Sequence, residues 1–139
     1  MRIMVVDDNS HGLKYFVQAL RKAYHTVDLR SDVEQAYHAF KGGLASGRWD
    51  GAILDLMFTM PQPPARYMEK DPSGLKAGYH LLCELRELQP DVPVIVLTNS
   101  RDRELMERLR SMPRVLVLRK LDQDVVEFVP SAEDFFSLK

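Results

Sequence analysis

Four short apolar runs in this chain each stop at a residue of marked polar chemistry, and that shared ending restricts the fold more than any other feature. Ile3-Met4-Val5-Val6 runs into Asp7-Asp8, Ala52-Ile53-Leu54 into Asp55, Val94-Ile95-Val96-Leu97 into Thr98, and Val115-Leu116-Val117-Leu118 into Arg119-Lys120. Runs of this length without polar alternation suit strands covered on both faces, as in a parallel sheet. If they lie parallel in one sheet, their polar ends meet at one edge.

The intervening segments carry the helical period. Leu13, Phe16, Val17, Leu20 and Tyr24 form one apolar stripe, and Thr26 to Leu29 reads as a short second strand. Ser31 and Glu34 then stand at capping-box spacing at the start of a helix bearing Val33, Ala36, Tyr37, Phe40 and Leu44. Gly42, Gly43 and Gly47 close that helix. A phosphate-cradling glycine loop opens a helix instead, so this glycine pair is not one. A third helix runs from Gly78 through Leu81, Leu82, Leu85 and Leu88 to the stop at Pro90. A fourth, Arg101 to Arg110, is charged, with a narrow stripe of Leu105, Met106 and Leu109, and Glu104 and Arg108 are at pairing distance on its solvated side. After the last strand, Pro130 is expected to interrupt the chain, with Ser131 and Asp134 capping a short final helix.

Strand and helix alternate five times, which predicts one α/β domain over residues 1–139, a doubly wound parallel sheet with helices on both faces. Ligands of such sheets bind at the carboxyl ends of the strands, where Asp7, Asp8, Asp55, Thr98 and Lys120 all fall. The connection from Phe58 to Lys76 holds Pro61, Pro63, Pro64, Pro72 and Gly74. It is several times longer than the usual link of about 2–6 residues, and reads as an insertion after the third strand.

Composition removes several classes of function. Apolar residues make up 45% and charged residues 28%, as in an ordinary globular protein, and the net charge of -1 offers no general attraction to nucleic acid or to an anionic membrane. No apolar run approaches the roughly 18 residues of a membrane span. Cys83 is the sole cysteine, expected as a buried packing thiol, so no intrachain disulfide forms and a reducing, cytoplasmic setting is expected. His11, His25, His38 and His80 lack metal-ligand spacing, and no serine-hydrolase elbow is present.

Carboxylates crowded at one sheet edge repel one another, and a hard cation with oxygen ligands, Mg²⁺ above all, offsets that repulsion and leaves positions for phosphoryl oxygens. A carboxylate can also attack phosphorus and hold the product as an acyl phosphate. Asp55, alone on the central strand, is the expected acceptor. Lys120 supplies a point charge for the transferred group, and Thr98 a hydroxyl that can hydrogen-bond it.

Val5-Val6-Asp7-Asp8, Ile53-Leu54-Asp55-Leu56, Val96-Leu97-Thr98 and Lys120 together resemble the receiver domain of bacterial two-component response regulators. The resemblance spans nearly the whole chain. It implies a flavodoxin-like sheet in the order 2-1-3-4-5 and phosphotransfer to Asp55 from a histidine kinase or phosphotransfer protein. It further implies Mg²⁺ held by Asp8, Asp55 and the carbonyl of Met57, with Asp7 acting through water. Chemistry would be limited to self-phosphotransfer and self-dephosphorylation at Asp55, and the output would be a downstream protein target or a fused effector. Departures are Val117 where the family often has an aromatic, Leu121 where it commonly has proline, and the 58–76 insertion. A second reading keeps the fold but signals by docking through that insertion, independently of phosphorylation. A phosphatase with an aspartyl intermediate fits poorly, because Met57 and Asn9 stand where a second acid would follow.

Overall fold

The computed structural model describes residues 1–7, 13–55 and 77–138. Asp8, Met57 and the 58–76 insertion therefore lie outside the described residues. Five parallel strands form one sheet in the order β2-β1-β3-β4-β5: β1 Arg2–Val6, β2 Thr26–Arg30, β3 Gly51–Leu54, β4 Val94–Thr98 and β5 Val115–Arg119. The strand order and the flanking helices are those expected from the sequence. The helices are α1 Lys14–Lys22, α2 Val33–Gly43, α3 Ala77–Leu88, α4 Arg103–Arg110 and α5 Val125–Phe136.

Side-chain alternation along the strands divides the interior into two cores. Ile3, Val5, Ile53, Ile95 and Leu97 face α1 and α5, where Phe16 meets Phe128 edge-on with ring centroids 5.0 Å apart. Met4, Val6, Leu54, Val94 and Val96 face α2, α3 and α4, packing against Phe40, Leu81, Leu82, Leu85 and Leu109. Each such fully buried side chain stabilises the fold by about 1.5–3 kcal/mol relative to exposure. β3 and β4 are buried throughout and β1 from Ile3 to Val6, as their unbroken apolar runs require, whereas β5 at the edge is only half-buried.

The amino ends of the strands are locked by polar contacts. Trp49 is buried and stacked on Phe40, with centroids 5.3 Å apart, and its indole N–H donates to the Phe40 carbonyl. The buried Gln89 carboxamide pairs with both the N–H and the carbonyl of Trp49, at 3.0 and 2.8 Å. The Arg2 guanidinium lies 4.0 Å from the centre of a Trp49 ring and donates to the carbonyls of Gly43 and Gly47. Gly51 has no room for a side chain: a Cβ there would come within 2.4 Å of the Phe136 ring.

Several local expectations are corrected. Tyr24 is not in the α1 stripe: the helix ends at Lys22, and Tyr24, at φ 68°, turns outward and is 95% exposed. The cap of α2 is Asp32 rather than Ser31, its carboxylate accepting the Gln35 N–H. Asp102 likewise caps α4, so that helix begins two residues after Arg101. Cys83 is half-buried rather than buried. Pro130 does not break the last helix, which runs unbroken from its Asp124 cap through Phe136. The proline removes one donor, that to the Val126 carbonyl. Both residues lie on the solvent side, where water replaces the lost bond. All described peptide bonds are trans, including the one after Lys120.

Candidate functional site

The parallel register brings the strand ends to one edge. Val6 lies beside Leu54 and Leu54 beside Val96, so Asp7 and Asp55 follow on adjacent strands, whose backbones run about 4.8 Å apart. The backbone continues the ladder one step further, with the Asp55 N–H donating to the Val6 carbonyl and the Asp7 N–H to the Arg30 carbonyl, both at 3.0 Å. Asp7 and Asp55 are each 3% exposed, in a protein whose other carboxylates are mostly at the surface. Burial of this kind is costly unless each charge has partners.

Both carboxylates have such partners. Lys120 Nζ lies 2.5 Å from Asp55 Oδ2, a contact between residues 65 apart in sequence. The lysine opens a one-turn 3₁₀ helix, Lys120–Asp122, directly after β5, and its side chain retains 18% exposure against 4% for the carboxylate. Asp7 Oδ2 accepts the Leu13 N–H at 2.8 Å, just before the first turn of α1. Asp7 thus satisfies a backbone donor at the helix start in addition to bordering the site.

Thr98 ends β4 beside Arg119 and is 3% exposed. Its hydroxyl accepts the Ser100 N–H at 3.2 Å. A hydroxyl that accepts one bond still has its own hydrogen to donate. Asn99, which sequence reasoning passed over, accepts the Leu121 N–H at 3.0 Å and joins the loop after β4 to the turn bearing Lys120. An asparagine just past a strand end was the available signal, since such side chains commonly bond nearby backbone.

Of the predicted site residues, Asp7, Asp55, Thr98 and Lys120 lie along this edge, and the structure pairs Asp55 with Lys120 directly. Asp8 and Met57 lie outside the described residues. Among the described residues no group of three or more His, Cys, Asp or Glu forms a metal-holding cluster. The donors present, two buried carboxylates on adjacent strands, have the hard-oxygen chemistry that Mg²⁺ takes. No helix among the described residues is long and apolar enough to cross a membrane.

Neither a family model nor a curated protein matches the chain. Solved structures do. A response regulator receiver protein from Sinorhizobium medicae superposes with a TM-score of 0.72 at 20% identity, covering 98% of this chain and 94% of that one. The non-phosphorylated HemR receiver domain from Leptospira biflexa gives 0.74 at 18% identity, with 99% and 95% covered. The chemotaxis protein CheY4 of Vibrio cholerae gives 0.68 at 16% identity, with 96% and 97% covered. This chain has the receiver-domain fold across nearly its whole length.

Proposed function

We propose that this receiver-fold chain is the phosphoacceptor of a two-component signalling system, with Asp55 as the residue that is phosphorylated. The observation that carries the reading is the Lys120–Asp55 pair at 2.5 Å, set beside Asp7 and Thr98 at the carboxyl edge of the sheet. A buried ion pair contributes little net stability, and a hydrophobic pair of similar volume often does as well, so stability alone is a weak reason for this one.

In the proposed reaction an Asp55 carboxylate oxygen attacks the phosphorus of a phosphohistidine on a histidine kinase or phosphotransfer protein. The P–N bond breaks, the imidazole leaves with its electron pair and takes up a proton, and an acyl phosphate forms on Asp55. Asp8, Asp55 and the Met57 carbonyl would hold Mg²⁺, with Asp7 reaching it through water. The ion's contribution is charge neutralisation at the phosphoryl oxygens. Lys120 then pairs with a phosphoryl oxygen in place of the carboxylate oxygen it now holds. Thr98 donates its hydroxyl hydrogen to another, and the movement of both groups biases the surface formed by α4 and β5. No other catalysis is assigned: the chain transfers the phosphoryl group to itself and later loses it to water. Its partners would be the donor protein and a downstream target or fused effector.

Incubation with Mg²⁺ and acetyl phosphate, followed by intact-mass measurement, tests the acceptor. One added phosphoryl group in the wild type and none in Asp55→Asn supports it. Equal labelling of both proteins removes Asp55 from the role. If neither is labelled, by acetyl phosphate or by a phosphorylated donor kinase, the phosphorylation-independent docking reading takes its place.

A further inference from the structure

A cleft of about 360 Å³ opens at the amino end of the sheet, far from the edge that carries Asp55, between the start of β5 and the end of α5. Pro93, Val115, Phe135 and Leu138 give it apolar walls, and Arg114 is the one charged residue in its lining among the described residues. Val115 and Phe135 are half-buried and Leu138 is 63% exposed, so the fold leaves this apolar surface incompletely covered.

Arg114 is held firmly and is short of charge partners. Its φ of 56° lies in the left-handed region that residues other than glycine rarely adopt. The Val94 N–H at 3.0 Å and the Arg86 guanidinium at 2.8 Å both donate to its carbonyl and fix the backbone there. Its own guanidinium donates to the Leu138 carbonyl at 3.0 Å, which ties the start of β5 to the end of α5 and leaves the rest of the donor fork available. It forms no ion pair with a described residue, since Asp91, the acid whose titration it influences, is hydrogen-bonded by Arg48. Arg86 adds to the positive charge: burial and the neighbouring Arg114 charge both push its pKa down. An anion at Arg114 would relieve that repulsion.

The two kinds of surface select the ligand. A guanidinium fork matches a carboxylate bidentately, and apolar walls favour a carbon body over a bare inorganic anion. The volume is at the low end of the roughly 300–1,000 Å³ of small-molecule sites, which suits a small ligand rather than a folded partner. We propose that this cleft binds a small monocarboxylate with an aryl or short alkyl body, its carboxylate on Arg114 and its carbon atoms against Val115, Phe135 and Leu138. The inference goes beyond the phosphoacceptor reading and does not require it.

The test uses the unphosphorylated full chain, so its result is separate from that of the labelling experiment. Phenylacetate is titrated into the protein and followed by NMR. Saturable shifts at Val115, Phe135 and Leu138 are expected, with a dissociation constant on the order of millimolar for so small a probe. Phenylacetamide, which keeps the body and loses the charge, should bind about tenfold more weakly. Arg114→Gly removes the cation at a backbone angle that glycine accepts, and Leu138→Glu sets an acid on an exposed wall. Each should weaken phenylacetate binding by about tenfold, and each variant's amide spectrum checks its fold. A wild type without saturable shifts at the cleft, equal binding of the amide, or undiminished binding to Arg114→Gly overturns the inference. Inorganic phosphate binding there as tightly as phenylacetate would make the cleft a general anion site and overturn the carboxylate with an apolar body.

Discussion

Asn99 Oδ1 accepts the backbone N–H of Leu121 at 3.0 Å, and through this bond the loop after β4 holds the turn that aims Lys120 at Asp55. The bond is exposed, so its worth to stability lies at the lower end of the usual 0.5–1.5 kcal/mol, roughly. Asn99→Ala should therefore leave the fold intact. With about 0.5 kcal/mol of that positioning felt in the transition state, the proposed phosphorylation by acetyl phosphate should slow by about twofold. An unchanged rate would show that the lysine turn is held by other contacts.

Lys120→Ala removes the cation beside a carboxylate that is only 4% exposed. Removing one partner of a fully buried pair costs about 3–5 kcal/mol, and the partial exposure of Lys120 lowers that to about 1–3 kcal/mol. On the proposed function, added Mg²⁺ should restore part of the loss, and the conformational response expected on phosphorylation should be absent from the variant. Chemical denaturation with and without Mg²⁺ reads the first effect, and NMR shifts at α4 and β5 the second.

Gln89→Leu keeps apolar volume at a buried position but leaves the Trp49 N–H and carbonyl without the carboxamide that satisfies both. Two orphaned buried groups cost about 2–4 kcal/mol together. Urea denaturation of the two proteins measures this directly, and a loss below about 1 kcal/mol would mean that water reaches the Trp49 backbone.

Pro130 occupies an exposed site inside an unbroken α5. Since proline is about 3 kcal/mol worse than alanine in a helix interior, Pro130→Ala should stabilise the protein, by about 1–3 kcal/mol. A helix broken at residue 130 would instead gain almost nothing, and thermal melts separate the two cases.

The Arg48 guanidinium hydrogen-bonds the Asp91 carboxylate and holds its pKa below the ordinary carboxylate value. A lowered folded-state pKa adds stability that is present above the unfolded value and lost as pH falls through the folded one. In Arg48→Ala the Asp91 titration should move up toward the ordinary value, and the variant's deficit in thermal midpoint should shrink in acid. Carbon-detected NMR titration of the Asp91 carboxyl checks the shift, and identical midpoints in the two proteins would contradict it.

Much of this fold was legible because its signals are local. An apolar run that stops at Asp7, Asp55, Thr98 or Lys120 reports both a buried strand and its polar end within a few residues, and no distant partner is needed to read it. The local signals failed where two neighbouring residues could do the same work, as with Ser31 and the Asp32 that caps α2. They failed also where solvent forgave a rule. Pro130 is tolerated because its helix faces water there, and Tyr24 left the apolar stripe because the helix ends at Lys22 and the backbone turns left-handed at Tyr24 itself.

The sequence by itself determined the strands, the first four helices and Asp7, Asp55, Thr98 and Lys120 at the sheet's carboxyl edge, since each depends on side-chain period and on residues close along the chain. Only the tertiary structure decided which of those groups meet. Lys120 reaches Asp55 across 65 residues, Asn99 holds Leu121 across 22, and Arg114 meets the Leu138 carbonyl across 24. These meetings depend on strand order, register and the angle at which each turn leaves the sheet. Those quantities come from packing the whole chain at once, and no short stretch of sequence contains them.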